Sequence, residues 1–72
     1  MAIESFQDLA NAIVIQAVKD YRGAMRVLKK YPRNTAAKAI RKETESFFLS
    51  EWFRTLTNLD GARLLGKLQK EG

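Results

Sequence analysis

Residues 5–34 read SFQDLANAIVIQAVKDYRGAMRVLKKYPRN, a pattern typical of one long helix with a marked beginning and end. Ser5 can accept a hydrogen bond from a backbone N–H of the first turn, and Asp8 places a negative charge near the positive end of the helix dipole. Pro32 ends the pattern because it lacks an N–H and disfavours a helical conformation at the preceding residue. We therefore expect a first helix over about residues 6–30.

Two sets of side chains run along this predicted helix. One set is apolar and recurs at helical spacing: Phe6, Ala10, Ile13, Val14, Ala17, Tyr21, Ala24, Leu28 and Tyr31. The other set is basic: Lys19, Arg22, Arg26, Lys29 and Lys30. At about 100° per residue the basic set falls on the side opposite the apolar set, so the two do not compete for one surface.

A second helix is predicted over about residues 35–49, with Asn34 or Thr35 as its N-cap. The short connection after the first helix favours an antiparallel helical hairpin. Its inward face is expected to consist of Ala36, Ala37, Ile40, Thr44, Phe47 and Phe48.

The last third of the chain predicts two shorter helical pieces. Ser50 can cap a short helix over about residues 51–56. Thr57 and Asp60 have the spacing of a capping box, which predicts a last helix over about residues 58–70.

The fold class predicted from these elements is all-α, and residues 1–72 form a single compact three-helix domain. It consists of a long antiparallel hairpin and a broken third helix that packs across it. No segment shows the alternation of a strand. The core is expected to be shared by Tyr21, Phe47, Trp52, Leu56 and Leu65. Gly61 is expected in the last helix because a neighbouring backbone or aromatic ring lies close to it.

The basic side chains are concentrated in one part of the chain. Nine of the thirteen lie between residues 19 and 42: Lys19, Arg22, Arg26, Lys29, Lys30, Arg33, Lys38, Arg41 and Lys42. Only Asp20 opposes them there, so this segment carries 9 − 1 = +8, and the rest carries 4 − 7 = −3. A cationic block in a compact protein indicates an anionic partner, and these nine residues are therefore the candidate site for DNA or RNA.

Two different roles are also compatible with this distribution of charged and apolar residues. A basic helix face can serve only to keep a protein soluble. An apparent excess of large apolar residues, namely Ile15, Val27, Leu49, Leu59 and one aromatic, favours instead a protein-interaction module. Such a module would be a homodimer or would dock on an acidic protein.

Three further functions have weaker support in the sequence. The aromatic residues Phe47, Phe48, Trp52 and Phe53 could stack on single-stranded bases, but a small protein needs them in its core. Residues 50–70 could form a helix-turn-helix, although the bulky Leu64 and Leu65 do not suit a recognition helix. A basic amphipathic helix could lie on a membrane surface, but helix packing uses its apolar face.

Composition excludes several kinds of site. The chain contains no Cys and no His, so disulfides are excluded and zinc, haem and iron–sulfur sites lose their usual ligands. It has no His base, no Cys nucleophile and no Gly-rich nucleotide loop. We therefore expect no catalytic residues, no metal, no cofactor and no enzymatic activity. No signal peptide and no apolar run of about 18 residues is found, so we expect a cytoplasmic protein without membrane insertion.

Four segments also support a resemblance. They are QAVKDYR (16–22), YPRN (31–34), ESFFLSEWF (45–53) and LTNLDG (56–61). Together they resemble small uncharacterised helical proteins encoded by prophages and integrative conjugative elements of gut Firmicutes. The resemblance covers most of the chain, and its motifs are structural rather than catalytic. It implies a mobile-element origin and a regulatory or DNA-handling role.

Overall fold

Four helices follow one another in the computed structural model, which describes residues 5–71. They are α1 (Phe6–Lys30), α2 (Thr35–Phe48), α3 (Glu51–Leu56) and α4 (Gly61–Glu71). Those residues contain no strand, and the all-α prediction is confirmed.

Local hydrogen bonds set the beginning of three helices where the sequence predicts it. The side chains of Ser5, Asn34 and Ser50 each accept a hydrogen bond from the backbone N–H three residues later, at 3.2, 2.9 and 3.2 Å. These bonds satisfy N–H groups that have no partner within the helix. At the end of α1, Tyr31 leaves the helical conformation (φ −129°, ψ 77°) directly before Pro32.

The last helix begins later than predicted. α4 starts at Gly61 rather than at about residue 58 because Asp60, not Thr57, is the residue that caps it. The Asp60 carboxylate accepts a hydrogen bond from the backbone N–H of Arg63 at 3.2 Å. The Thr57 hydroxyl instead accepts from the N–H two residues later, at 3.3 Å, and closes a turn. At the other boundaries α2 ends one residue earlier and α4 one residue later than predicted.

α1 and α2 form the hairpin, and the other two helices pack against it. α3 contacts both α1 and α2, and α4 lies against both of them as well. Their buried apolar residues meet in one cluster: Ala10, Val14, Tyr21, Phe48, Phe53, Leu56, Leu65 and Leu68. Tyr21, Leu56 and Leu65 are therefore core residues, as predicted.

The prediction that Trp52 lies in the core is wrong. Its side chain is 58% exposed, whereas the next residue, Phe53, is fully buried. Neighbours on a helix point about 100° apart, so a short helix that turns Phe53 inward must turn Trp52 outward. The indole then packs edge-on against the half-buried Phe47, with 5.7 Å between the ring centres.

Two predicted apolar faces are also narrower than expected. On α1 the end residues Phe6 and Tyr31 are exposed, and on α2 Ala36 and Ile40 are exposed. Phe6 lies beside the end of α3 and the loop that follows it, but these residues leave most of its side chain uncovered. On α2, α1 and α4 cover Ala37, Thr44 and Phe48 and leave the flank uncovered.

Candidate functional site

The five basic residues of α1 lie on one exposed side of the helix. Lys19, Arg22, Arg26, Lys29 and Lys30 are all exposed, and helical geometry places them within an arc of about 100°. Core residues such as Val14 and Tyr21 point away from this arc. Because the arc is populated on every turn from residue 19 to residue 30, it forms a continuous cationic surface.

The remaining four predicted site residues lie in the turn and on α2. Arg33, Lys38 and Lys42 are exposed, and Arg41 is half-buried. The first turn of α2 carries no acidic residue, so the positive end of its dipole adds to the potential of these cations. We use the name basic face for the set of nine residues on α1, the turn and α2; within this set, helical geometry places the five residues of α1 on one side of their helix.

Only one residue of the basic face is paired with a carboxylate within residues 5–71. Arg22 donates from Nε and Nη2 to the two carboxylate oxygens of Glu71, each at 2.9 Å. These hydrogen bonds raise the pKa of the Arg22 guanidinium and lower the pKa of the Glu71 carboxyl. In the described part of the chain, the other 9 − 1 = 8 cations have no ion-pair partner.

A cleft of about 240 Å³ lies beside this ion pair, between α1 and the end of α4. Arg22, Arg26 and Lys29 line it together with Glu71, and Met25 and Leu68 supply its apolar part. Three cations therefore converge on one cleft, where one carboxylate offsets part of their charge.

Three cations of α4 lie outside the basic face that the sequence predicts. Arg63, Lys67 and Lys70 are exposed, whereas Leu65 and Leu68 of the same helix are buried. The helical period of α4 predicts from the sequence that these three cations are exposed. It does not predict which of the other helices α4 packs against, and so it does not place the cations relative to the basic face. The Arg22–Glu71 ion pair brings the end of α4 to the edge of the basic face.

A partly buried polar contact joins α1, α2 and α4 next to Arg41. The Tyr21 hydroxyl donates to the Glu45 carboxylate at 2.9 Å, and Gln69 of α4 donates to the same oxygen at 3.5 Å. Burial is the main cause that raises the pKa of the Tyr21 phenol, and the Glu45 carboxylate raises it further. Arg41 acts in the opposite direction, so its charge lies close to this contact.

A second surface differs from the basic face in chemistry. A groove of about 290 Å³ lies between α1 and α2 and reaches α3. We call it the apolar groove; it is lined by Ile13, Gln16, Ala17, Asp20, Glu43, Thr44, Phe47 and Trp52. Asp20 on α1 and Glu43 on α2 are exposed, and no ion pair involves either carboxylate within residues 5–71.

The predicted excess of exposed apolar residues is found in the structure. Ile15, Val27, Leu49 and Leu59 are exposed, and three aromatic residues rather than one are exposed as well: Phe6, Tyr31 and Trp52. Of the four aromatic residues considered for base stacking, Phe48 and Phe53 are buried and Phe47 is half-buried.

Neither a cluster of metal ligands nor a membrane-spanning helix is found in the described part of the chain. Residues 5–71 contain no group of three or more acidic, His or Cys side chains that could hold a metal ion. Over the same residues, every helix is too short or too polar to cross a membrane.

Comparison with known proteins found no matching protein family, no matching curated protein and no matching solved structure. Function is therefore inferred from the chemistry of the two surfaces.

Proposed function

We propose that the protein binds the phosphate backbone of nucleic acid through the basic face, without strong sequence specificity. The observation that carries the proposal is that eight of the nine cations between residues 19 and 42, among them four of the five on one side of α1, have no carboxylate partner within residues 5–71. Surface cations that merely solubilise a helix are commonly interspersed with acidic residues, and between residues 19 and 42 only Asp20 lies among them.

The dimensions of α1 suit such a partner. From Lys19 to Lys30 the helix rises by about 17 Å, which corresponds to about five phosphates of one DNA strand. Lys and Arg side chains along this length can follow a backbone without reading bases, because base readout requires side chains that enter a groove. Contacts of this kind are typical of non-specific binding with a Kd of about 10⁻⁴ to 10⁻⁶ M.

The proposal agrees with the role that the sequence resemblance implies. A small protein of a mobile element that handles DNA needs no active site, and we propose such a non-enzymatic accessory role here. It would act in the cytoplasm, where the nucleic acid of a bacterial host is found.

Fluorescence anisotropy with short labelled duplex and single-stranded DNA tests this function. At about 50 mM salt we expect saturable binding, and we expect affinity to fall steeply as salt is raised. The triple variant Arg26→Gln, Lys29→Gln, Lys30→Gln should weaken binding strongly, since it removes three phosphate contacts. An absence of binding at low salt would refute the proposal.

A matched control distinguishes the effect of the basic face on DNA binding from the effect of net charge alone. The variant Arg63→Gln, Lys67→Gln, Lys70→Gln on α4 has the same net charge of 5 − 3 = +2 as the α1 variant. We expect it to bind DNA more tightly than the α1 variant. Equal losses in the two variants would mean that binding depends on total charge and not on the basic face.

The alternative function is a protein-interaction module or homodimer that does not bind nucleic acid. The exposure of Leu49, Trp52 and Leu59 supports it, because each of these large apolar side chains is more than half exposed. Light scattering over a range of protein concentrations distinguishes the two functions. A strict monomer that binds DNA would favour the basic face as the functional site.

A further inference from the structure

The apolar groove combines an apolar surface with two acidic side chains. Ile13 and Ala17 of α1 line it together with Phe47 of α2 and the exposed Trp52 of α3. Asp20 and Glu43 supply a carboxylate from each of the two helices. A complementary group would therefore carry a bulky apolar side chain with cations beside it.

The size of the groove limits what can occupy it. Its volume of about 290 Å³ lies just below the range of about 300–1,000 Å³ that is usual for small-molecule sites. One or two inserted side chains suit this volume better than a large cofactor does. A side chain on a helix, presented by a protein surface, is the kind of occupant that fits.

This chain itself presents such a group. Ile15 is 54% exposed although it lies on the cationic side of α1. Lys19 follows four residues later and Arg22 seven residues later, so both lie on the same side of the helix as Ile15. An isoleucine flanked by two cations complements an apolar groove that is flanked by two carboxylates.

We propose that the apolar groove of one molecule binds the Ile15 segment of α1 of a second copy of this chain. Ile15 inserts against Phe47 and Trp52. Lys19 reaches the carboxylates of Asp20 and Glu43, and Arg22 exchanges its ion pair with Glu71 for one with the same carboxylates. The groove and the Ile15 segment lie on sides of α1 that are about 150° apart, so a molecule cannot fill its own groove. The proposal does not depend on nucleic-acid binding, and it is tested in the absence of nucleic acid.

Sedimentation and light scattering across a concentration series measure the association directly. Trp52 is the single tryptophan of the chain, so its emission reports on this groove alone. We expect the average mass to rise with concentration and the emission of Trp52 to shift to shorter wavelength in parallel. A constant monomer mass up to high concentration would overturn the proposal.

Two substitutions by glutamate test whether the Ile15 segment forms the surface through which the molecules associate. Ile15→Glu should abolish association, because it places a carboxylate against Asp20 and Glu43. Leu49→Glu is the matched control, since Leu49 is 60% exposed and does not line the groove. If Leu49→Glu abolishes association and Ile15→Glu leaves it intact, the interface is elsewhere and the proposal fails.

Exchange of the charges gives a further test, because two variants that associate only when they are mixed must both be folded. One variant carries Asp20→Lys and Glu43→Lys, and the other carries Lys19→Glu and Arg22→Glu. Each should be monomeric alone, because like charges then meet across the interface. Their mixture should associate, because the intact cations of the first variant fit the intact groove of the second. A mixture that stays monomeric would contradict the proposal, as would association of either variant alone.

Discussion

Gly61 lies directly against the backbone carbonyl of Phe48, so the start of α4 touches the end of α2. A Cβ at residue 61 would overlap the carbonyl oxygen, would lie 2.8 Å from the carbonyl carbon and 3.1 Å from Cδ1 of Phe53. This contact confirms the expectation that a neighbouring backbone or ring explains the glycine.

Replacement of the three helical glycines should therefore give opposite results. Gly61→Ala should destabilise the protein by about 1–3 kcal/mol, because backbone and a core ring must move. Gly23→Ala and Gly66→Ala should stabilise it by up to about 1 kcal/mol, since a Cβ there meets no atom within 4 Å. Urea unfolding measures all three, and a stable Gly61→Ala protein would contradict the close approach.

Neighbouring aromatic residues on α3 should differ sharply in their contribution to stability. Phe53→Ala should cost about 3–5 kcal/mol because it leaves a cavity in the aromatic cluster. Trp52→Ala should cost about 1 kcal/mol or less, since the indole is mostly exposed. Thermal unfolding of the two variants measures this difference. A larger loss of stability in Trp52→Ala than in Phe53→Ala would contradict the assignment of Phe53 to the core.

The hydroxyl of Tyr21 should stabilise the fold through its bond to Glu45. Tyr21→Phe keeps the buried ring and removes one hydrogen bond to a charged group, with an expected cost of about 1.5–3 kcal/mol. Tyr31→Phe is the control, because the Tyr31 side chain is exposed and no hydrogen bond involves it within residues 5–71. Equal stability of the two variants would mean that the Glu45 contact contributes nothing.

Alkaline pH should weaken the fold through the same group. Burial raises the pKa of the Tyr21 phenol above its usual value of 10.0, so the folded state holds this proton more tightly than the unfolded state. The contribution of this proton to the free energy of unfolding is fully present below the pKa of the phenol in the unfolded state. It is lost as pH rises through the higher pKa of the folded state. The free energy of unfolding, measured from neutral pH upward, should fall above about pH 10 more steeply in wild type than in Tyr21→Phe.

Release of Arg22 from its carboxylate partner should strengthen nucleic-acid binding. Glu71 accepts hydrogen bonds from Nε and Nη2 of Arg22, which form one of the two guanidinium edges that can bind a phosphate with two donors, and its charge offsets that of Arg22. Glu71→Gln should therefore bind DNA more tightly and add about one phosphate contact to the salt dependence. Glu51→Gln makes the same change in net charge on α3 and is the control, so equal gains in the two variants would exclude competition by Glu71.

Local chemistry in the sequence is sufficient to predict most helix boundaries. Ser5, Asn34 and Ser50 each bond to a backbone N–H in their own first turn, and Pro32 acts on the residue beside it. These capping bonds and the effect of Pro32 involve only residues that are close in sequence, so a short stretch of sequence is enough to predict them. The choice between Thr57 and Asp60 as a cap is not predictable in this way, because both have suitable side chains; in the structure Asp60 caps α4 and Thr57 closes the preceding turn.

The sequence by itself also determined that α1 has separate apolar and basic sides, since helical period alone sets those directions. Only the tertiary structure decided that Phe53 rather than Trp52 enters the core, because the side of α3 that faces inward depends on how α3 packs against α1 and α2. It also decided that Glu71 meets Arg22, 49 residues away, and that Asp20 and Glu43 border one groove. Contacts between residues far apart in the chain depend on how whole helices pack, and no local pattern encodes them.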